Sequence, residues 1–189
     1  MKKLILAACV LGLSACAATD ASTENTTANA APKMINLANM TDEQATDELY
    51  NSLIKASYLA TKLSPNSVAV QFGDNQFVLQ PSMSEQGVDR ILTNRLFAVH
   101  PKLHGSKDLL ILIGSLNQKL NFAKFVIRDN GGVIQVQGAA TFVDSIELEE
   151  LRRFLLWTDE GLKQVGKSLP KGSENLIKPI PVIKEDTAA

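Results

Sequence analysis

Cysteine is almost absent from this chain, and the positions of its two cysteines decide what their scarcity excludes. Cys9 and Cys16 both fall within the first sixteen residues, so the rest of the chain has no disulfide, thiolate metal cluster or cysteine nucleophile to draw on. A surplus of positive charge is missing too. The 19 basic residues are set against 20 acidic ones, for a net charge of -1, which gives no electrostatic case for nucleic acid as a partner. Catalytic signatures are equally scarce. There is no Gly-x-Ser-x-Gly elbow, and Gly131-Gly132 lacks the helix and lysine that follow a phosphate loop. His100 and His104 have the spacing of a helical metal pair, but Pro101 breaks a helix between them and no glutamate follows His100, so both are expected on an exposed turn. Asp129 and Asn130 lack the acidic ladder of a calcium loop. The expectation is a protein with no catalytic residue, no cofactor and no metal.

What is present begins at the amino terminus. Lys2 and Lys3 precede an apolar run from Leu4 to Leu13, which has the length of a signal-peptide core. That run is shorter than the roughly 20 residues of a membrane-spanning helix. Leu13-Ser14-Ala15-Cys16 then resembles the bacterial lipobox, in which the cysteine thiol receives a diacylglycerol and becomes the acylated amino terminus. An ordinary secretory signal with a chance cysteine is the competing reading. On the lipobox reading Cys16 is the lipidation site, and the chain is held to the membrane by its acyl chains, more than one of which stable anchoring requires. Ala17 stands where an aspartate would signal inner-membrane retention, so the expected address is the outer membrane, facing the periplasm. Loss of Lys2 and Lys3 with the leader takes the basic count to 17 against 20, a net charge of -3.

Residues 17–33 are rich in Ala, Thr, Asn and Ser and hold too little apolar surface to offset the entropy of ordering. The expected organisation is a signal at 1–15, the lipidated cysteine and a flexible tether at 16–40, one domain at 41–169, and a Pro-containing tail at 170–189. Within the tail, Ile177, Ile180, Val182 and Ile183 are apolar enough to lie extended along the domain.

Three helices and five strands are expected in the domain. Thr41-Asp42-Glu43-Gln44 reads as a capping box. Leu49, Leu53, Ala56, Ala60 and Leu63 extend the apolar face of its helix to Ser64-Pro65. Val68, Val70 and Phe72, then Phe77 and Leu79, alternate as two strands around a Gly73-Asp74-Asn75 turn. Asp89 to His100 reads as a third strand, with a helix from Ser84 as its rival. Asp108 to Leu120 is a helix whose extra Leu110, Ile111 and Ile113 predict burial around much of its circumference. Ala123, Phe125 and Ile127 pair with Ile134 and Val136 across the Asp129–Gly132 turn. Asp144 and Glu147 read as the cap of the last helix, with Glu149 and Glu150 at its positive end. Leu148, Leu151, Leu155, Leu162, Val165 and Leu169 form its apolar stripe, and Gly161 marks a close approach or a bend. The order α-β-β-β-α-β-β-α is solved most simply as an α+β domain, an antiparallel sheet of about five strands packed with helices.

The stretch from Leu116 to Leu169 resembles the YbjN-like family, which shares the fold of type III secretion chaperones. The residues that carry the resemblance are Asn117, Asn121-Phe122-Ala123-Lys124, Asp129 with Gly132, and Leu151-Arg152-Arg153-Phe154 leading to Gly166. It implies a noncatalytic module that holds protein segments, and it transfers no catalytic residue. The lipid anchor, the Pro-containing tail and the His100-to-Lys107 region depart from that family and argue against a cytoplasmic role.

The function expected from these readings is a membrane-anchored, periplasm-facing lipoprotein that binds a protein or peptide partner in the cell envelope and works without catalysis. An exposed sheet edge or an apolar groove would take an extended segment of the partner. Homodimerisation is an added expectation. The candidate partner-contacting residues are Trp157, Arg152 and Arg153, although Trp157 fits core packing under the tail better than a ligand platform. The runner-up function is a carrier of a small apolar or lipid ligand, suggested by the apolar surplus at Leu109 to Ile113. An enzyme with a dispersed active site comes last.

Overall fold

A computed structural model describes residues 33–85 and 87–183, and Cys16 with its leader lies outside them. The chain runs β1 (Met34–Asn36), α1 (Asp42–Lys55), β2 (Ala60–Ser64), β3 (Ser67–Phe72), β4 (Asn75–Ser82), β5 (Asp89–Val99), α2 (Lys107–Lys119), β6 (Lys124–Arg128), β7 (Val133–Phe142), β8 (Ser145–Glu147), α3 (Leu148–Ser168) and β9 (Ile177–Pro179). The fold is α+β, as its alternating patterns predict. Among the described residues, nine strands stand in place of the expected five. Seven form one antiparallel sheet in the order β2-β3-β4-β5-β7-β6, with β9 added to β5, and β1 pairs with β8 in a second sheet of two strands.

The four additional strands all come from stretches without a full alternating pattern. β1 falls in the stretch expected to be tether, yet Ile35 and Leu37 are completely buried. β9 comes from the tail, where Phe97 of β5 faces Pro179 and Val99 faces Ile177.

β2 shows how one residue redirects a chain. α1 starts as read, with the Gln44 N–H donating to Thr41 Oγ1 at 3.3 Å and the Thr41 N–H to Gln44 Oε1 at 3.0 Å. It stops at Lys55, well before Ser64. Ser57 takes a left-handed φ of 63°, its N–H donates to the Ile54 carbonyl, and the Tyr58 N–H donates to the Leu53 carbonyl. That is a Schellman stop with serine in the place usually taken by glycine. Ala60 and Leu63 therefore belong to a strand, and Leu63 is exposed.

The last helix also starts differently from its reading. Asp144 sits in a turn at φ 58° and caps nothing; β8 intervenes, and α3 begins at Leu148 with Glu147 as a cap that makes no side-chain hydrogen bond. Glu149 and Glu150 do occupy the first turn, where negative charge suits the helix dipole. Asp89–Val99 is a strand throughout, without a helix from Ser84.

The helices lie on one side of the large sheet and cover two apolar clusters. The first joins α1, β3, β4 and the start of α3 through Leu49, Leu53, Val70, Leu79 and Leu155. The second joins α2, β6 and the first half of β7 through Leu109, Ile113, Phe125, Ile134 and Val136. Arg95 lies between them, its guanidinium 5.9 Å from the Phe77 ring and 5.2 Å from the Phe97 ring. Burial lowers its pKa, and the carboxylate of Asp159, 3.5 Å away, acts in the opposite direction. Asp159 of α3 also accepts hydrogen bonds from Asn75 and from Lys163, the latter at 2.8 Å. A charged seam thus ties the last helix to the sheet.

Candidate functional site

The unequal lengths of β6 and β7 create an open sheet edge. β6 pairs with β7 only as far as Lys124 opposite Gln137, whereas β7 runs on to Phe142. The direction of the unpaired groups follows from Asn117. Its side-chain amide donates to the Phe125 carbonyl and accepts from the Phe125 N–H, both at 2.8 Å, on the outer side of β6. Successive residues of a strand point their backbone groups to opposite sides. Lys124 and Val126 therefore point theirs inward, toward Gln137 and Gln135, whose own groups point outward to meet them, and Ala139 and Thr141 repeat the outward orientation of Gln135 and Gln137 beyond the end of β6. Their N–H and C=O groups find no backbone partner on that side among the described residues. Asn117 satisfies the outward groups of Phe125 on β6, and the edge of β7 just beyond β6 stays open.

Side chains frame this edge asymmetrically. On the helical side lie Phe154 and Trp157 of α3 with Phe122 from the approach to β6, and a cleft of about 770 Å³ opens among them beside Gly138 and Ala139. Trp157 meets the Phe122 ring edge-on at 6.1 Å and the Phe154 ring at 6.4 Å. Two glycines make this possible. A Cβ at Gly161 would stand 2.4 Å from the Phe122 ring, and one at Gly138 2.9 Å from Phe154. Gly161 is thus a close approach within an unbroken helix. On the opposite face of the sheet, Arg90 and Lys124 line the same cleft, Arg90 opposite Thr141 and Lys124 opposite Gln137.

The structure separates the three residues expected to meet a partner. Trp157 lies beside the open edge and is 51% exposed, so it does not pack as core under the tail. Arg153 stands one turn before it on the same side of α3. Arg152 lies on another face and holds Glu149, with Nη2 donating to Oε1 at 2.6 Å, while its charge acts on Tyr58. Arg153 shares that carboxylate, with Nε 3.2 Å from Oε1. Pairing draws Glu149 well below the ordinary carboxylate range, to about 2, chiefly through the Arg152 hydrogen bond. Tyr58 stacks on Phe72, and burial raises its hydroxyl pKa.

The other polar candidates have local partners. His100 Nδ1 accepts from the Lys102 N–H at 3.2 Å, and His104 Nε2 lies 2.9 Å from the Val99 carbonyl oxygen. Among the described residues no group of three His, Cys, Asp or Glu side chains could hold a metal, and no helix is long and apolar enough to cross a membrane. Sequence reasoning missed Ala139 and Thr141, although the long run from Val133 to Phe142 against a shorter partner was the signal that could have found them.

A second concavity, of about 430 Å³, lies under the C-terminal half of α3. Phe125, Ile134 and Val136 line it from the sheet, Leu112 and Leu116 from α2, and Leu162 and Val165 from α3. α2 is less buried than its composition predicts. Only Leu109 and Ile113 are buried, and Leu110 and Ile111 are each 58% exposed. Comparison with protein-family models, with curated proteins and with solved structures finds no match to this chain.

Proposed function

We propose that this chain is a noncatalytic lipoprotein of the bacterial envelope that holds an extended segment of another protein at the open edge of β7. The carrying observation is the unpaired stretch of β7 beside the exposed Trp157. A strand added there gains main-chain hydrogen bonds from Ala139 and Thr141, the groups that supply affinity in strand addition. Its alternate side chains face two environments. Apolar ones suit Trp157, Phe154 and Phe122, and acidic ones suit Arg90 and Lys124 on the other face. The lipobox-like Leu13-to-Cys16 stretch supports outer-membrane anchoring through Cys16, and the YbjN-like motif around Asn117 and Phe154 supports kinship with segment-holding modules.

A photo-crosslinking amino acid placed at Thr141 tests the edge in intact envelopes. The expected result is a discrete adduct with another protein at position 141 and none at Asn130, on the turn between β6 and β7. An adduct with a second copy of this chain would replace the partner with a homodimer, and absence of any adduct would overturn the reading. Thr141→Pro removes an outward N–H at an edge position that tolerates proline, so it should abolish the adducts of a probe at Ala139 while the protein stays folded. The anchor has its own test. Cys16→Ser should leave the membrane fraction, and its retention there would refute the lipobox assignment.

A further inference from the structure

We propose that the cavity under the C-terminal half of α3 binds a fatty acid, with its acyl chain inside and its carboxylate at the rim beside Lys167 and Lys171. The site is separate from the edge of β7 and is formed by different residues. Its volume of about 430 Å³ falls within the roughly 300–1,000 Å³ typical of small-molecule sites. The cavity is open to solvent on one side and walled mostly by apolar side chains, the form of a site that takes a small-molecule occupant. Water is a poor one, because it needs several polar partners and the walls are Phe97, Phe125, Ile134, Val136, Leu116 and Leu162.

The walls also discriminate between apolar occupants. A peptide would carry backbone N–H and C=O groups into a space whose bounding strands are already paired, β6 with β7 and β7 with β5, and burying such groups without partners is costly. An acyl chain carries none. Polar groups gather where the chain leaves α3, at Lys167, Lys171, Ser173 and Glu174. Two of them are already engaged. The Ser173 hydroxyl donates to the Pro170 carbonyl at 2.7 Å, and the Glu174 carboxylate accepts from the Gly172 N–H at 2.9 Å. The two lysines remain exposed, and their charge complements a carboxylate. Leu169, Pro170 and Ile177 border the cavity as the chain passes from α3 to β9, and α2 borders it while burying only two of its own side chains. An entering chain therefore has a side that can move without disturbing the first apolar cluster.

Calorimetric titration of dodecanoate into the full chain carrying Cys16→Ser tests the site. Saturable binding of one dodecanoate per chain is expected. Leu116→Trp fills the cavity from α2. Gly166→Phe blocks its mouth from a position where an added Cβ meets nothing within 4 Å, so it carries little folding risk. Each variant should weaken binding by about tenfold or more while the circular dichroism spectrum is unchanged. Replacing both Lys167 and Lys171 with glutamine, or dodecanoate with dodecyltrimethylammonium, should also weaken it by about tenfold. No binding to the parent chain, or undiminished binding to Gly166→Phe, would overturn the site. Equal affinity for the cationic amphiphile would overturn the fatty-acid assignment. Lysophosphatidylglycerol binding more tightly than dodecanoate would transfer the site from free fatty acid to phospholipid.

Discussion

The two apolar clusters under the helices are built to different standards. In the first, Ile35, Leu37, Leu49, Val68, Val70, Leu79 and Ile91 are all completely buried, whereas no buried member of the second is less than 2% exposed. α1 places three buried residues, Ala45, Leu49 and Leu53, in the first cluster, while the thirteen-residue α2 places two, Leu109 and Ile113, in the second, beside a cavity. A side chain removed from a filled region leaves a new void, and one removed beside an existing void leaves less behind. The first cluster therefore holds the fold, and the second leaves space for something else.

The sharpest test of this division lies on its boundary. Asp159 is only 5% exposed and meets Arg95, itself held between Phe77 of the first cluster and Phe97 of the second. Asp159→Ala leaves that guanidinium half-buried without its counter-charge, a change expected to cost about 3–5 kcal/mol. Urea denaturation measures it. If the seam separates the clusters, hydrogen exchange in the variant should accelerate more in β6 and α2 than in β3 and β4. A uniform acceleration would mean that the two clusters unfold as one. Next comes a matched pair within the clusters. Leu79→Ala should cost about 2–5 kcal/mol and Leu116→Ala less than about 2 kcal/mol, because the leucine beside the cavity gives up fewer neighbours. Equal costs would refute the contrast.

The same contrast explains what the sequence made legible. Strong alternation marked β3, β4, β6 and the start of β7, and the capping box marked α1, because these elements follow local rules that any fold must satisfy. Elements defined by their partners escaped. β1 and β9 are three residues each and exist because β8 and β5 offer them edges. The stop at Ser57 escaped because serine seldom adopts the left-handed conformation that closes a helix. Helical periodicity over Leu109 to Ile113 identified α2 but overstated its burial, since composition does not reveal that a cavity stands where a partner would be. Trp157 was singled out as an aromatic. Its exposure depends on Gly161 and Phe122, whose approach no spacing rule contains.

A smaller effect separates the two sheet edges. Asn117 occupies the backbone groups of Phe125 on β6, and Thr141 has no counterpart to it on β7. Asn117→Ala removes two hydrogen bonds near the surface, at a cost of about 1–2 kcal/mol. The Phe125 amide should then exchange with solvent much faster, approaching the rate of Thr141. Persistent protection of Phe125 would show that α2 shields the β6 edge by packing alone.

The smallest effect belongs to Glu149, at the start of the helix that spans both clusters. Its carboxyl is drawn from an ordinary 4.5 to about 2, first by the hydrogen bond from Arg152 and then against the opposing effect of burial. A carboxyl whose pKa is lower in the folded than in the unfolded chain contributes stability that is complete above the unfolded value. That contribution disappears as pH falls from about 4.5 to about 2. Glu149→Gln should therefore be slightly less stable than the parent chain near neutrality, with the difference closing at the acid end of that window. The difference should be far smaller than that of Asp159→Ala, because exposed ion pairs are screened and their side chains lose entropy on pairing. Carbon-detected NMR titration of the folded chain reads the carboxyl directly. A midpoint near 2 supports the pairing, and a midpoint near 4.5 would show that in solution the two arginines leave Glu149 free and stand available to a partner beside Trp157.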